Sequence, residues 1–430
     1  MRAEPAAETS APRPLSLRAN FSWTVVGNFT YALCQWGMVT LLVKVSNPEV
    51  VGQLTFGLAL TAPIFMLSNL QLRSLQATET AGALRFADFA GVRTATTALA
   101  MAVTLGLAAL GGYEPVVAWT ILAMAFSRGA ESVADLIHGH LMRAERMDVI
   151  SRSMMLRGLI SVGALAATFA ATKSLGLAVG AMAAGTVGVL VAYDLPSLFR
   201  IREAGERLWP RFDKARVRKI LGDAVPLGAV MMLISLNVNV PRYFIESALG
   251  AYMLGIFAPL AQLVAAGYLV VNALGQSATP RLARLHASGD LPAFRRLLGR
   301  MLAMALALTA AGFALSKWIG AEVLTLLYSA EYAGYVDLLL LFVVVAGLQF
   351  CGSFLGYGMT AAHRYRVQLP LFVLVTAVCA GASWALIPAY GLRGAVWALI
   401  LSAFVQLAGS ALVLWQALRP GPGPSPAPEG

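Results

Sequence analysis

Charge is what this sequence has least of. Asp, Glu, Lys and Arg together make up 12% of its 430 residues, about half the share expected of a soluble globular chain. That shortage, with the long apolar runs described below, excludes a soluble architecture. The three cysteines, Cys34, Cys351 and Cys379, are scattered through apolar segments. They lack ligand-like spacing and read as small hydrophobes. Histidine is nearly as scarce, and HGH at 138–140 turns its two rings to different faces of any helix, so metal ligation is not expected there. No GxxxxGK[ST] loop occurs, which excludes an ATPase engine within the chain. No GxSxG element or external carboxylate pair occurs either, which leaves a hydrolase or glycosyl transferase without its machinery. The expectation is a non-enzyme without a cofactor.

What is abundant is hydrophobicity, at 58% of residues and a mean hydropathy of +0.72. Twelve apolar segments of membrane-spanning length can be marked, at 19–43, 50–72, 92–111, 115–137, 155–172, 175–198, 223–247, 251–274, 300–320, 335–361, 368–388 and 393–417. They predict an all-α polytopic membrane protein. The net charge of +11 then needs an account. With the N-terminus inside, four basic residues fall in external loops (Lys44, Lys173, Lys317, Arg393) and two inside helices (Arg128, Arg242). The other 26 of the 32 lie on the cytoplasmic side. This asymmetry is the positive-inside rule and predicts that both termini are cytoplasmic. Topology thus explains the basic balance, and no nucleic-acid partner is expected.

The segments organise into halves. Residues 1–18 form a polar, Pro-rich cytoplasmic tail, and the first apolar segment is too long and wrongly flanked for a cleaved signal peptide. A six-helix bundle is expected over 19–199 and a basic cytoplasmic linker over 200–222. A second six-helix bundle follows over 223–418, then a tail over 419–430, RPGPGPSPAPEG from Arg419, compositionally disordered. The linker stretch FRIREAGERLWPRFDKARVRKI carries eight basic residues, and every external connection is short, the longest near 317–335. The halves resemble each other. VVGQLTFGLAL at 50–60 matches MLGIFAPLAQL at 253–263, LGLAVGAMAAGTV at 175–187 matches YGLRGAVWALILS at 390–402, and AER at 144–146 falls opposite AHR at 362–364. Six helices per half is an even number, so the repeat is parallel, about an axis along the membrane normal. Such transporters hold substrate in a central cavity near mid-bilayer and rock one half against the other.

Polar residues recur at helical spacing. Thr24, Asn28, Tyr31 and Gln35 share one face of the first helix. Ser235, Asn239, Arg242 and Glu246 repeat that spacing in the seventh, and Gln349, Ser353, Tyr357 and Thr360 line the tenth. Asn272 pairs with Gln276, and Asn69 with Arg73. Two readings stand: polar glue between helices at about 0.6 kcal/mol per bond, or the lining of a wet cleft, since the first and seventh helices are equivalent in the repeat. Within FSRGAESVAD, residues 126–135, Arg128, Glu131 and Asp135 share a face where a membrane helix is expected to be uncharged. An Arg or Asp at a helix centre costs about 2.5–3.5 kcal/mol on insertion scales. Either Arg128 and Glu131 neutralise each other while Asp135 sits at the cytoplasmic interface, or the face points into the cleft and Arg128 attracts an anion. Arg128 is the strongest candidate, being too deep to snorkel out. Arg242, near the external end, and Arg73, at the cytoplasmic end of the second helix, follow it.

The stretch FSWTVVGNFTYALCQWGMVTLLVKVSNPEVVGQLTFGLALTAPIFMLSNLQLRSLQATE, residues 21–79, resembles the start of a polysaccharide-export flippase. The likeness is to the Wzx-type branch of the multidrug/oligosaccharidyl-lipid/polysaccharide (MOP) superfamily. It is carried by W-x-x-x-G-N (Trp23, Gly27, Asn28), the P-E-x-x-G-Q turn (Pro48, Glu49, Gly52, Gln53) and N-L-Q-L-R ending at Arg73. The resemblance implies a MATE-like V-shaped bundle of helices 1–6 and 7–12 in a bacterial inner membrane. It implies translocation of an undecaprenyl-pyrophosphate-linked oligosaccharide, an O-antigen or exopolysaccharide precursor, from the inner to the outer leaflet by alternating access. The partners implied are that lipid-linked substrate, the bilayer, and the polymerase and glycosyltransferases of the same pathway. A cationic cavity agrees with such a substrate, and the residues expected to line it are Arg128, Arg242, Asn28, Tyr31, Gln35, Asn239, Arg73, Asn272 and Gln349. Glu131, Asp135 and Asp194 are the candidates for coupling to a proton or sodium gradient. The alternative is a cation-coupled multidrug antiporter of the same fold, in which a carboxylate is essential and Arg128 is not.

Overall fold

A computed structural model describes residues 15–79, 84–201, 207–364 and 367–418. The expected disordered tails therefore fall largely outside the described residues, as do positions 202–206 of the linker. Every regular element among the described residues is helical. In chain order they are α1 (Leu17–Val45), α2 (Pro48–Asn69), α3 (Leu72–Thr78), α4 (Phe86–Leu110), α5 (Pro115–Arg143), α6 (Met147–Thr172) and α7 (Leu175–Val189). A π-helical turn (Leu190–Asp194) leads into α8 (Leu195–Ile201). There follow α9 (Lys214–Ala265), α10 (Gly267–Ala287), α11 (Leu291–Leu327), α12 (Ala330–Ala333), α13 (Val336–Ala361) and α14 (Gln368–Ala417).

Two of these helices are too long to be single membrane crossings. Straight, the 52 residues of α9 would span about 78 Å, against a hydrocarbon layer of about 30 Å. The backbone leaves helical geometry at Gly250 (φ 83°, ψ 171°) in α9 and at Gly391 (φ 59°, ψ −137°) in α14. Positive φ favours a residue without Cβ, and these glycines mark the turns between crossings. Nine helical stretches among the described residues are long and apolar enough to span a membrane. Cutting α9–α10 at Gly250 and α14 at Gly391, and adding α5, which its charges exclude from that set, gives the twelve crossings expected from the sequence.

Local signals set many helix starts. Asn47 Oδ1 accepts from Val50 N at the head of α2, Ser174 Oγ from Leu177 N at α7, and Asp290 Oδ1 from Ala293 N at α11. Proline occupies the first turn of α5 and α11, where its missing N–H is no loss. The third and fifth apolar segments begin several residues earlier than hydropathy suggests, at Phe86 and Met147. Arg93 and Arg157, at the starts of the marked segments, therefore lie well inside α4 and α6, where they are buried. Both belong with the intrahelical residues and not with the loop residues of the charge count: a charge satisfied inside a bundle need not lie in a loop. The stretch around 317–335, read as an external loop, is largely helical through α11 and α12.

The described residues form two compact units, one within Met1–Val45 and Gly57–Met232, the other within Ser46–Phe56 and Leu233–Gly430. In the first, α6 packs on α1 and α7, and α5 on α3, α4 and α7. Its apolar core gathers Leu72, Phe86, Phe89, Leu136, Ile137, Leu141 and Ile220. The basic stretch after residue 206 is pinned to this unit: Arg211 N donates to Ala87 O at 2.8 Å and Arg216 to Asp88 at 2.8 Å. In the second unit, α13 packs on α10, α11 and α14 around Phe294, Phe350, Phe354 and Val375. Tyr328 and Tyr332 tie α11 and α12 to the backbone of α9 through the carbonyls of Pro259 and Gly255, each at 3.0 Å.

A close approach in the second unit displays the repeat. Gly52 packs against the Ala251 carbonyl and Gly255 against the Pro48 carbonyl, each so closely that a Cβ would collide. In the alignment of 50–60 with 253–263, Gly52 matches Gly255 and Pro48 matches Ala251. One contact is therefore made twice, with the partners exchanged, as a two-fold relation between the matched segments would give.

Candidate functional site

Charged side chains of the first unit converge on one cavity of about 210 Å³. Its wall includes Tyr31 of α1, Asn69 of α2 and Arg73 of α3. Arg128, Glu131, Asp135 and His138 line it from α5, and Arg157 from α6. The spacing of the α5 residues explains their convergence. At 128, 131, 135 and 138 they recur on one stripe of a 3.6-residue helix, so the face seen in the sequence continues one further turn to His138.

Each charge has a defined partner. Arg128 Nη1 donates to Glu131 Oε2 at 3.0 Å, Tyr31 Oη donates to Glu131 Oε1 at 3.1 Å, and Gln35 Nε2 donates to Tyr31 Oη at 2.9 Å. Arg128 and Glu131 thus pair within α5, and Arg128 also faces the cavity. A turn further along α5, Asp135 Oδ2 accepts from Arg93 Nη2 at 2.9 Å, and Arg73 Nη1 lies 3.8 Å from Oδ1. Asn69 Oδ1 accepts from Arg93 Nη1 and from Ser132 Oγ. Past this layer, Arg157 Nη2 donates to Asp194 Oδ2 at 2.6 Å. His138 Nε2 lies 3.2 Å from Ser153 Oγ and 3.6 Å from Asp194 Oδ1. Desolvating these ions without partners would cost several kcal/mol each, and the pairing accounts for their tolerance.

Four arginines thus meet three carboxylates, Glu131, Asp135 and Asp194, and the assembly carries a net positive charge with His138 neutral. Such a site attracts an anion, and the Arg73, Arg128 and Arg157 guanidinium groups at its wall present donors to phosphate or carboxylate oxygens. Among the described residues no group of three or more His, Cys, Asp or Glu is placed to hold a metal ion.

Of the residues singled out in the sequence, Tyr31, Arg73, Arg128, Glu131 and Asp135 come together here, with Gln35 bonded to Tyr31. Asp194 lies behind the wall, held against Arg157. Asn28 is exposed, and its side chain donates to the Thr24 carbonyl of its own helix. The remaining candidates belong to the second unit. There Arg242 Nη1 donates to Asn239 Oδ1 at 3.1 Å, and Asn239 Nδ2 donates to the Ser235 carbonyl at 2.8 Å. Gln349 accepts from Tyr268 at 2.8 Å, and Asn272 accepts from Tyr357 at 3.3 Å. A hollow of about 370 Å³ in that unit, lined mainly by apolar residues between Leu249 and Arg393, brings none of these candidates together. Sequence reasoning did not select Arg93, Arg157 or His138 for the site.

Comparison with known proteins adds to this geometry. The family described as "Polysaccharide biosynthesis protein" matches residues 17–286. The capsular polysaccharide biosynthesis protein CapF of Staphylococcus aureus is 25% identical over 396 residues, 90% of this chain and 96% of that protein. Among solved structures, the chain is similar to a multidrug resistance MATE family transporter of the MOP superfamily in an inward-facing conformation. The TM-score is 0.73 at 13% identity, over 92% of this chain and 98% of that one. It is also similar to the lipid II flippase MurJ in an inward closed conformation, with a TM-score of 0.70 at 9% identity, over 93% and 88% of the two chains. At these identities the structural likenesses show the fold, which is that of the MOP superfamily.

Proposed function

This chain belongs to the polysaccharide biosynthesis protein family, and on that premise we propose that it is a flippase for a polyprenyl-pyrophosphate-linked oligosaccharide in a bacterial inner membrane. In this reading it is a transporter and not an enzyme, working by alternating access from the cytoplasmic to the outer leaflet. The observation that carries it is the cationic cavity of the first unit, which Arg73, Arg128 and Arg157 line from three helices. A glycan on a pyrophosphate is too polar and too charged to cross hydrocarbon unaided, because a buried unpaired charge costs several kcal/mol or more. Guanidinium groups compensate the phosphates, and Tyr31 and Asn69 offer hydrogen bonds to sugar hydroxyls. The polyprenyl chain needs no protein contact and stays in lipid. Release requires contacts that are several and individually weak, and each arginine, already shared with a carboxylate, gives up only part of its bonding to the ligand.

The test is reconstitution in proteoliposomes. A fluorescent polyprenyl-pyrophosphate-linked oligosaccharide should move between leaflets in the presence of the protein, while a lipophilic cationic dye should not. Transport of the dye alone would instead identify a drug antiporter.

A further inference from the structure

Asp194 lies behind the cavity wall, and the cluster it forms with two lining residues, His138 and Arg157, is unusual for a membrane interior. His138, Asp194 and Arg157 come from α5, the π turn and α6, with residue exposures of 3%, 1% and 5%. Arg157 is held to Asp194 Oδ2, while Asp194 Oδ1 and Arg157 Nε have no hydrogen-bond partner. Buried carboxylate oxygens seldom stay unsatisfied. This one faces His138 Nε2 at 3.6 Å. The π turn that carries Asp194 is a device found in few helices and concentrated at functional sites. His138 itself lines the cavity, so a proton from solvent reaches it by the same entrance as the ligand.

We propose that His138 is a proton site linked to the cavity, so that a pyrophosphate diester and one proton bind together with positive cooperativity. This rests on the flippase reading above. In the tautomer protonated at Nδ1, Nε2 accepts from the Ser153 hydroxyl. One added proton makes Nε2 a donor, aimed at the unsatisfied Asp194 oxygen, while Ser153 rotates its hydroxyl away. Charge gives the same direction. With His138 neutral, the four arginines exceed Glu131, Asp135 and Asp194 by a single positive charge. A pyrophosphate diester brings two negative charges and leaves the site negative by one. A proton on His138 then makes the loaded site neutral, the state least costly to carry through a membrane interior.

The groups around His138 are few. Arg73 faces it from α3, Arg157 from α6 and Asp194 from the π turn. Arg93 of α4 acts through Asp135, α7 carries no charged residue, and Arg200, the charge on α8, is exposed. The empty site surrounds His138 with more positive than negative charge. Anion binding reverses that balance, so proton affinity rises on loading. By reciprocity, anion affinity rises on protonation.

The experiment measures binding of UDP-glucose, a soluble pyrophosphate diester of constant charge near neutrality, to the purified full chain by calorimetry between about pH 5 and pH 8. The wild-type protein should bind more weakly as pH rises, by up to about tenfold per unit where His138 titrates. It should take up as much as one proton per ligand, read from two buffers of different ionisation enthalpy. His138→Gln, which keeps a polar side chain but does not titrate, should bind with a pH-independent affinity and no uptake. Saturable binding without proton uptake by the wild type, or uptake undiminished in His138→Gln, would overturn the proposal and leave the flippase reading intact. No saturable binding at any pH would remove both.

Discussion

Arg93 donates to Asp135 across the α4–α5 interface at 2.9 Å, from a side chain only 1% exposed. Asn69 holds the same guanidinium from α2, so three helices meet on one buried cation. Asp135→Asn should therefore destabilise the protein by about 2–3 kcal/mol, less than the 3–5 kcal/mol of a fully buried pair, because Asp135 is partly exposed and Asn69 remains. Arg93→Met combined with Asp135→Asn should recover most of the loss. Thermal unfolding in detergent reads both. A single variant as stable as wild type would show that the pair does not hold the bundle.

The reciprocal glycine contact gives a prediction about packing. Gly52→Leu and Gly255→Leu should each lower stability by about 1–3 kcal/mol, the range for overpacking, since carbonyl oxygens stand where the new side chains begin. Gly37→Ala, where a Cβ meets nothing within 4 Å, should be neutral or slightly stabilising. Melting temperatures of the three variants, measured side by side, check the difference.

Charge asymmetry makes a prediction about topology. In a background lacking Cys34, Cys351 and Cys379, Lys44→Cys and Lys173→Cys should react with a membrane-impermeant maleimide on intact cells. Lys219→Cys should react only after permeabilisation. The opposite pattern would invert the orientation that the basic residues predict.

The twelve crossings were legible because membrane solvent imposes one simple rule: each crossing needs a long apolar run. Hydropathy even separated the crossings that the helices run together, since the apolar runs break near Gly250 and Gly391. Helix ends were less legible. Arg93 and Arg157 stand at the very start of the marked segments 92–111 and 155–172 and so look like loop charges, whereas the helices begin earlier, at Phe86 and Met147, and carry both arginines inside the bundle. His138 was weighed as a metal ligand together with His140 and set aside. Its relation to Asp194 and Arg157 depends on which faces of α5, α6 and the π turn meet, and one sequence does not record that. Arg128, Glu131 and Asp135 were findable because they break the rule of their surroundings on a single helical face.

Arg128 is where the account is most exposed, because its side chain lines the cavity while Glu131 compensates its charge. The direct measurement is leaflet-to-leaflet transfer of a polyprenyl-pyrophosphate-linked oligosaccharide in proteoliposomes carrying equal amounts of wild-type, Arg128→Ala or Arg128→Lys protein. Losing one charge-assisted contact to phosphate, about 1.5–3 kcal/mol, should slow the Ala variant by roughly tenfold to a hundredfold, and Lys should restore part of the rate. Transfer by Arg128→Ala at the wild-type rate, from a stably folded protein, would contradict a role for the cationic cavity in moving the glycolipid.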